Sequence, residues 1–203
     1  QENYKRPIYE ISYGANKPLS LVDKDFFEIL NKYKLKQSEY ALMISRLVPE
    51  NHIIEVIGEL ISITKIVIVG NWSTPYGKMI SKMYQGNSNL IKIESQYDQK
   101  IMNSLRQGSG IYVHGHSVGG TNPGLLQAMA ANCKIIAHDN IFNRSVMENE
   151  GAYFELGTPS IKNFWLNKNS ISQKWEDKLK HYRWEEVSDQ YYVISRKLVE
   201  RTY

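Results

Sequence analysis

Ile111 to Ala131 reads IYVHGHSVGGTNPGLLQAMAA, and the fold turns on how this stretch is read. The apolar run Gly110–His114 has the length and composition of a short buried strand. A glycine-rich loop follows, and Leu125, Leu126, Met129 and Ala130 then recur at helical spacing. Pro123 suits the first turn of that helix, where its missing N–H would have no partner anyway. Asn122 just before it is a good N-cap. Gly115, Gly119 and Gly120 permit close approach of the backbone to a ligand. Free N–H groups and the positive dipole end at such a helix start make an anion site. In an open parallel sheet, ligands lie at the carboxyl ends of the strands, where this loop falls. A diphosphate suits that place. The same residues also suit a plain strand–helix turn that uses glycine for tight packing, and composition alone leaves both readings open.

Working outward, further short apolar runs occur at Ile8–Tyr13, Tyr40–Ser45, Lys65–Val69, Leu90–Ile93 and Lys134–His138. Each is poor in charge, as expected of strands covered on both faces. Helical stripes lie between them: Ile53, Ile54, Ile57, Leu60 and Ile61; then Met79, Met83 and Tyr84; then Ile101, Met102 and Leu105. Strand–helix alternation at this spacing predicts βαβ units, right-handed crossovers and a Rossmann-like three-layer α/β/α domain with a mostly parallel sheet. That domain is expected over residues 1–158. The remainder, 159–203, reads as a helical extension that packs on this domain or on a missing N-terminal one. It carries Trp165, Trp175, Leu179, Tyr182 and Trp184, then Val187, Tyr191, Ile194 and Leu198 on one face of a last helix. Lys24–Lys36 reads as a solvated helix face and loop.

Of the 203 residues, 42% are hydrophobic and 23% charged, an ordinary globular balance. The net charge of +4 falls short of a nucleic-acid binder's excess, so no nucleic-acid partner is expected. Cys133 is the single cysteine, so no intramolecular disulfide forms, in keeping with a reducing cytoplasm. No apolar run approaches the roughly 20 residues needed to span a bilayer. The chain opens on Gln1 with polar residues, and reads as a piece of a longer protein whose N-terminal portion is absent.

Two other chemistries fit fragments of the pattern. Gly115-His116-Ser117-Val118-Gly119 matches the G-x-S-x-G nucleophile elbow, with Ser117, Asp139 or Asp177, and His181 in plausible chain order. An elbow starts its helix at the serine, however, and Pro123 lies six residues further on. His114 and His116 would face one side of a strand. No cysteine or carboxylate stands beside them at ligand spacing, so no metal site is expected. A loop histidine touching a ligand is the better reading of His116, with a polar strand end as the alternative.

HSVGGTNPGLLQAMAANCKIIAHD resembles the donor-site signature of family 4 glycosyltransferases of the GT-B fold, whose usual form is approximately S-x-x-E-G-x5-L-E-A-M-A. The G-G-T-N-P variant is similar to the rhamnosyltransferase-type branch. YEISYGAN near Ile8–Asn16 is similar to the link by which such enzymes enter their C-terminal half. MISRLVP (Met43–Pro49) is similar to their G-R-L strand–loop, and IVIVGN (Ile66–Asn71) to the next strand and turn. The likeness runs from about Ile8 to Phe154.

The resemblance implies a role for each matching residue. Arg46 would contact the donor diphosphate, and with Gln127 would carry the catalytic role. Gly119, Gly120, Thr121, Asn122 and Gly124 would form the phosphate and sugar turn, beside His116. Gln127 stands where a glutamate usually bonds the pentose, and Ser95, Gln96 and Tyr97 would border the base. Two further positions depart from the pattern: Gly119 replaces the first glutamate, and Asn51 the lysine that accompanies the arginine. The implied protein is the donor-binding half of a bacterial glycosyltransferase. It would take a dTDP-, UDP- or GDP-linked sugar, transfer a hexose, rhamnose in the branch it resembles, to a polysaccharide or lipid-linked acceptor, and need no cofactor or metal. The acceptor site would lie on a missing N-terminal domain, which would also provide any peripheral membrane association at the inner face. A non-catalytic nucleotide-binding module is the alternative that Gly119 and Gln127 motivate.

Overall fold

The computed structural model of the chain describes residues 8–17 and 23–200. Six strands form one parallel sheet: β1 (Tyr40–Ile44), β2 (Lys65–Gly70), β3 (Leu90–Glu94), β4 (Ile111–His114), β5 (Ile135–His138) and β6 (Ala152–Phe154). Their order across the sheet is β3-β2-β1-β4-β5-β6. The chain therefore winds outward from β1 in one direction, returns, and continues from β4 in the other. In register, Leu42 of β1 lies beside Val67 of β2 and Tyr112 of β4.

Alternate residues of each strand feed two separate cores. Leu42, Val67, Val69, Tyr112 and Ile135 pack on one face. Above them lie α1 (Asp23–Lys32), α4 (Gln99–Gly108) and α5 (Pro123–Ala130), which contribute Leu30, Leu105, Leu125 and Met129. Ala41, Met43, Ile66, Ile68, Val113 and Ile136 pack on the other face. There α2 (Ile53–Leu60), α3 (Pro75–Met83) and α7 (Ser160–Leu166) supply Ile53, Ile57, Ile80 and Ile161. This is a three-layer, Rossmann-like α/β/α fold. Burial on both faces explains why the strands are continuous apolar runs rather than alternating ones.

The remaining helices are α6 (Ile141–Met147), α8 (Glu176–Leu179) and α9 (Trp184–Glu200). Trp175, fully buried, roots the tail in the first core and donates its indole N–H to the Cys133 carbonyl at 2.8 Å. On α9, Val187 is buried, while Tyr191, Tyr192, Val193, Leu198 and Val199 are exposed.

One reading of the sequence needs correction. Ile8–Tyr13 is not a strand. It runs outside the sheet, and only Ala15 makes a bridge, to Arg183, with its N–H on the Tyr182 carbonyl at 2.7 Å. The sheet has β3 and β6 at its edges, and this segment pairs with neither, its one bridge being to the tail. Lys24–Lys36 is a helix and loop whose four lysines are exposed, as the sequence suggests, while Leu30 and Leu35 reach the core from its other side. Lys24 itself falls on the exposed side of α1.

Candidate functional site

The sheet reverses its winding between β1 and β4, so the loops leaving these two strands diverge and open a crevice. A cleft of about 510 Å³ lies there. Each strand of this half contributes to its wall: Arg46 after β1, Asn71 after β2, Ser95, Gln96 and Tyr97 after β3, and Gly124 and Gln127 from α5 after β4.

The loop after β1 owes its shape to Asn51. Its buried side-chain amide donates to the Arg46 carbonyl at 2.7 Å, closing the turn that carries the arginine. Asn51 thus points inward as a brace and does not line the cleft. The loop after β4 rests on the same turn. The backbone N–H and the hydroxyl of Ser117 both donate to the Glu50 carbonyl, at 3.2 and 2.8 Å. Gly115 is required by this contact, since a Cβ there would overlap the Asn51 carbonyl oxygen. From the far side, Asn140 and Asn143 donate their side-chain amides to the His116 carbonyl at 2.9 and 3.0 Å.

Beyond Ser117 the loop is open. Gly119 has φ of +113°, which glycine adopts without strain, and side chains placed at Gly119 or Gly120 would meet nothing. Asn122 caps α5 as its position predicts, accepting from the Gly124 N–H at 2.8 Å. That bond occupies one helix-start donor. Among the described residues the N–H groups of Gly119, Gly120 and Thr121 make no hydrogen bond.

The structure therefore divides the ten expected site residues. Arg46, Ser95, Tyr97, Gly124 and Gln127 share the cleft wall. Gly119, Gly120, Thr121 and Asn122 form the loop and cap leading into Gly124 and are not part of that wall. His116 lies below this loop with its ring stacked on His114, centroids 4.5 Å apart. Burial, and then the neighbouring Arg46 guanidinium, lower its pKa to about 4, so its ring is neutral at pH 7. Burial and then His116 hold His114 well below the ordinary histidine range.

Arg106 escaped the sequence reading altogether. It lies on α4, only 3% exposed, and lines the same cleft. Its Nη2 donates to Gln127 Oε1 at 2.6 Å. Nothing in MNSLRQGSG marks it, because its partner lies 21 residues further along the chain.

The nucleophile-elbow arrangement is not assembled. The Ser117 hydroxyl donates to a backbone carbonyl, Asp139 grips Arg144 through two bonds of 2.5 and 2.6 Å, and Asp177 pairs with Lys180 at 2.7 Å. Among the described residues no three histidines, cysteines or carboxylates are placed to hold a metal ion, and no helix is long and apolar enough to cross a membrane.

No family model matches the chain, and no curated protein matches it in sequence. Solved structures do match in shape. A glycosyltransferase from Rickettsia africae superposes with a TM-score of 0.77 at 12% identity, over 93% of this chain and 56% of that one. The chain has the fold of one half of a GT-B glycosyltransferase. The Anabaena protein Alr3699/HepE, solved in complex with UDP-glucose, gives a TM-score of 0.73 at 12% identity, over 89% of this chain and 54% of that one. The sucrose-phosphate synthase of Thermosynechococcus elongatus gives 0.70 at 14% identity, over 91% and 52%. The chain spans about half the length of each of these proteins.

Proposed function

We propose that this chain is the donor-binding half of a glycosyltransferase and that its cleft holds a sugar nucleotide by the diphosphate. One observation carries the reading. The switch-point cleft combines two arginines with the start of α5, into which the open glycine turn leads, and among the described residues no carboxylate lines it. Such a wall attracts a multiply charged anion and offers nothing to a cation. Arg46 presents its guanidinium to phosphate oxygens, for which its planar fork is suited. The base would lie against Ser95–Tyr97. Bound UDP-glucose in a protein of the same fold supports this class of ligand.

In transfer, the nucleoside diphosphate leaves with developing negative charge. Arg46 and the unengaged amides of Gly119, Gly120 and Thr121 would stabilise that charge electrostatically. The acceptor would come from a second half of the protein, together with the groups that approach the sugar from the other side. A hexose, rhamnose included, is the transferred group, and a polysaccharide or lipid-linked sugar the acceptor. Protein of this kind would work in the cytoplasm, with any membrane contact made by the second half.

Thermal-shift titration tests the proposal with UDP, dTDP and GDP against the matching nucleosides. At least one diphosphate is expected to raise Tm by a few degrees at millimolar concentration, with its nucleoside far weaker. Equal effects of nucleoside and diphosphate would contradict it. This chain alone is expected to transfer no sugar, and release of nucleoside diphosphate from a donor by this chain would overturn the assignment of the acceptor groups to another half.

A further inference from the structure

Arg106 is a nearly fully buried guanidinium with no carboxylate partner. Its one side-chain bond runs from Nη2 to the neutral amide of Gln127, and its Nε has no partner. A buried charge left without a counter-charge is costly to a fold. Two hollows meet at this pair. One is the 510 Å³ cleft, and the other, of about 390 Å³, is bordered by Lys17, Asn103 and Trp184. Gln99, Arg106 and Gln127 line both, and among the described residues neither wall contains an aspartate or glutamate. The positive charge therefore faces open space that nothing in the described chain neutralises.

Gln127 has a fixed orientation for the same reason. Arginine carries only donors, so the glutamine must turn its oxygen toward Arg106 and leave its NH₂ free. The pair offers the cleft donors alone.

We infer that Arg106 is a second phosphate-binding residue of this cleft, and that the neutrality of Gln127 is what leaves its charge to the ligand. The inference rests on the donor-site reading and adds a specific consequence. Placing a carboxylate at position 127 closes an internal ion pair with Arg106, cancels the charge and turns an acceptor toward the anion. Gln127→Glu, which keeps shape and size, is thus expected to weaken binding. A carboxylate there that served to bond pentose hydroxyls would strengthen it instead.

Calorimetry with UDP, dTDP, GDP and inorganic pyrophosphate, on the wild type and on Gln127→Glu, separates the outcomes. The expected result is a loss of about tenfold or more in affinity for the diphosphates and for pyrophosphate, with a Tm equal to or above that of the wild type. Arg106→Lys, which keeps the charge, is expected to retain part of the affinity. Unchanged or tighter binding by folded Gln127→Glu overturns the role given to Arg106 and leaves the donor-site reading intact. Binding of pyrophosphate but of no nucleotide, with the Gln127→Glu loss preserved, overturns the donor-site reading and upholds Arg106. A wild type that binds none of the four overturns both.

Discussion

Arg46 and Gly115 represent two ways in which a single residue serves the site. Arg46 is exposed on the cleft wall, and its backbone is braced by Asn51. Arg46→Ala is expected to cost a charge-assisted contact of about 1.5–3 kcal/mol in binding, or roughly tenfold to a hundredfold in affinity for UDP, without altering Tm by more than a degree or two. Calorimetry and melting curves read the two quantities separately. Gly115 does not face the ligand, yet its Cα lies against the Asn51 carbonyl. Gly115→Ala is expected to destabilise the protein by roughly 1–3 kcal/mol through overpacking, read by urea unfolding. Both residues stand in stretches that the sequence marks, one after an apolar strand and one in a glycine-rich loop. Arg106 was illegible because its meaning comes from Gln127, on the next helix. The same holds for Asn140 and Asn143, whose partner is a carbonyl on another loop.

At the scale of the element, α5 begins where Asn122 and Pro123 require, and the cap is made by the Asn122 side chain. Asn122→Ala is expected to cost about 1 kcal/mol in chemical denaturation. The end of β4 carries a different liability. His114 and His116 are stacked on one face of the chain with both pKa values depressed below the ordinary histidine value, and proton uptake by either favours the unfolded chain. Their contribution to stability is complete above about pH 6.5 and is lost as pH falls toward 4. Tm is therefore expected to fall between pH 7 and pH 4.5, and more shallowly in His116→Gln. A Tm that is flat over this interval in the wild type would contradict the burial of the pair as neutral rings. Long apolar runs flanked by helical stripes made five of the six strands legible. β6 was missed because three residues are too few to show any period, and α6 because Ile141 and Phe142 of IFNRSVM face outward and no apolar stripe is visible. Ile8–Tyr13 has strand composition, but composition does not reveal whether a segment reaches a sheet edge, and this one lies against the tail instead.

For the whole molecule, the order β3-β2-β1-β4-β5-β6 determines where the site lies, since it opens the sheet between β1 and β4. The two-sided core follows from the apolar strands, and this much was readable from hydrophobic pattern alone. The outward side of α9 was readable only as a stripe. Val187 anchors the helix to the domain, and the residues beyond it are exposed. Val187→Ala is expected to destabilise by about 2 kcal/mol, whereas Tyr192→Ser is expected to change stability by less than about 0.5 kcal/mol.

The molecule also holds a larger hollow, of about 760 Å³, between the C-terminal end of α5 and the tail, bordered by Ala130, Gln173, Trp175 and Arg183. It lies away from the strand ends and contains carboxylates, Glu176 and Asp177, in its wall. Size favours this hollow and chemistry favours the switch-point cleft. Amide chemical shifts followed by NMR during titration with UDP distinguish the two directly. The account predicts the largest shifts at Gly119–Gly124 and Ser95–Tyr97. Shifts confined to Ala130, Gln173 and Trp175, with the glycine turn unmoved, would contradict it.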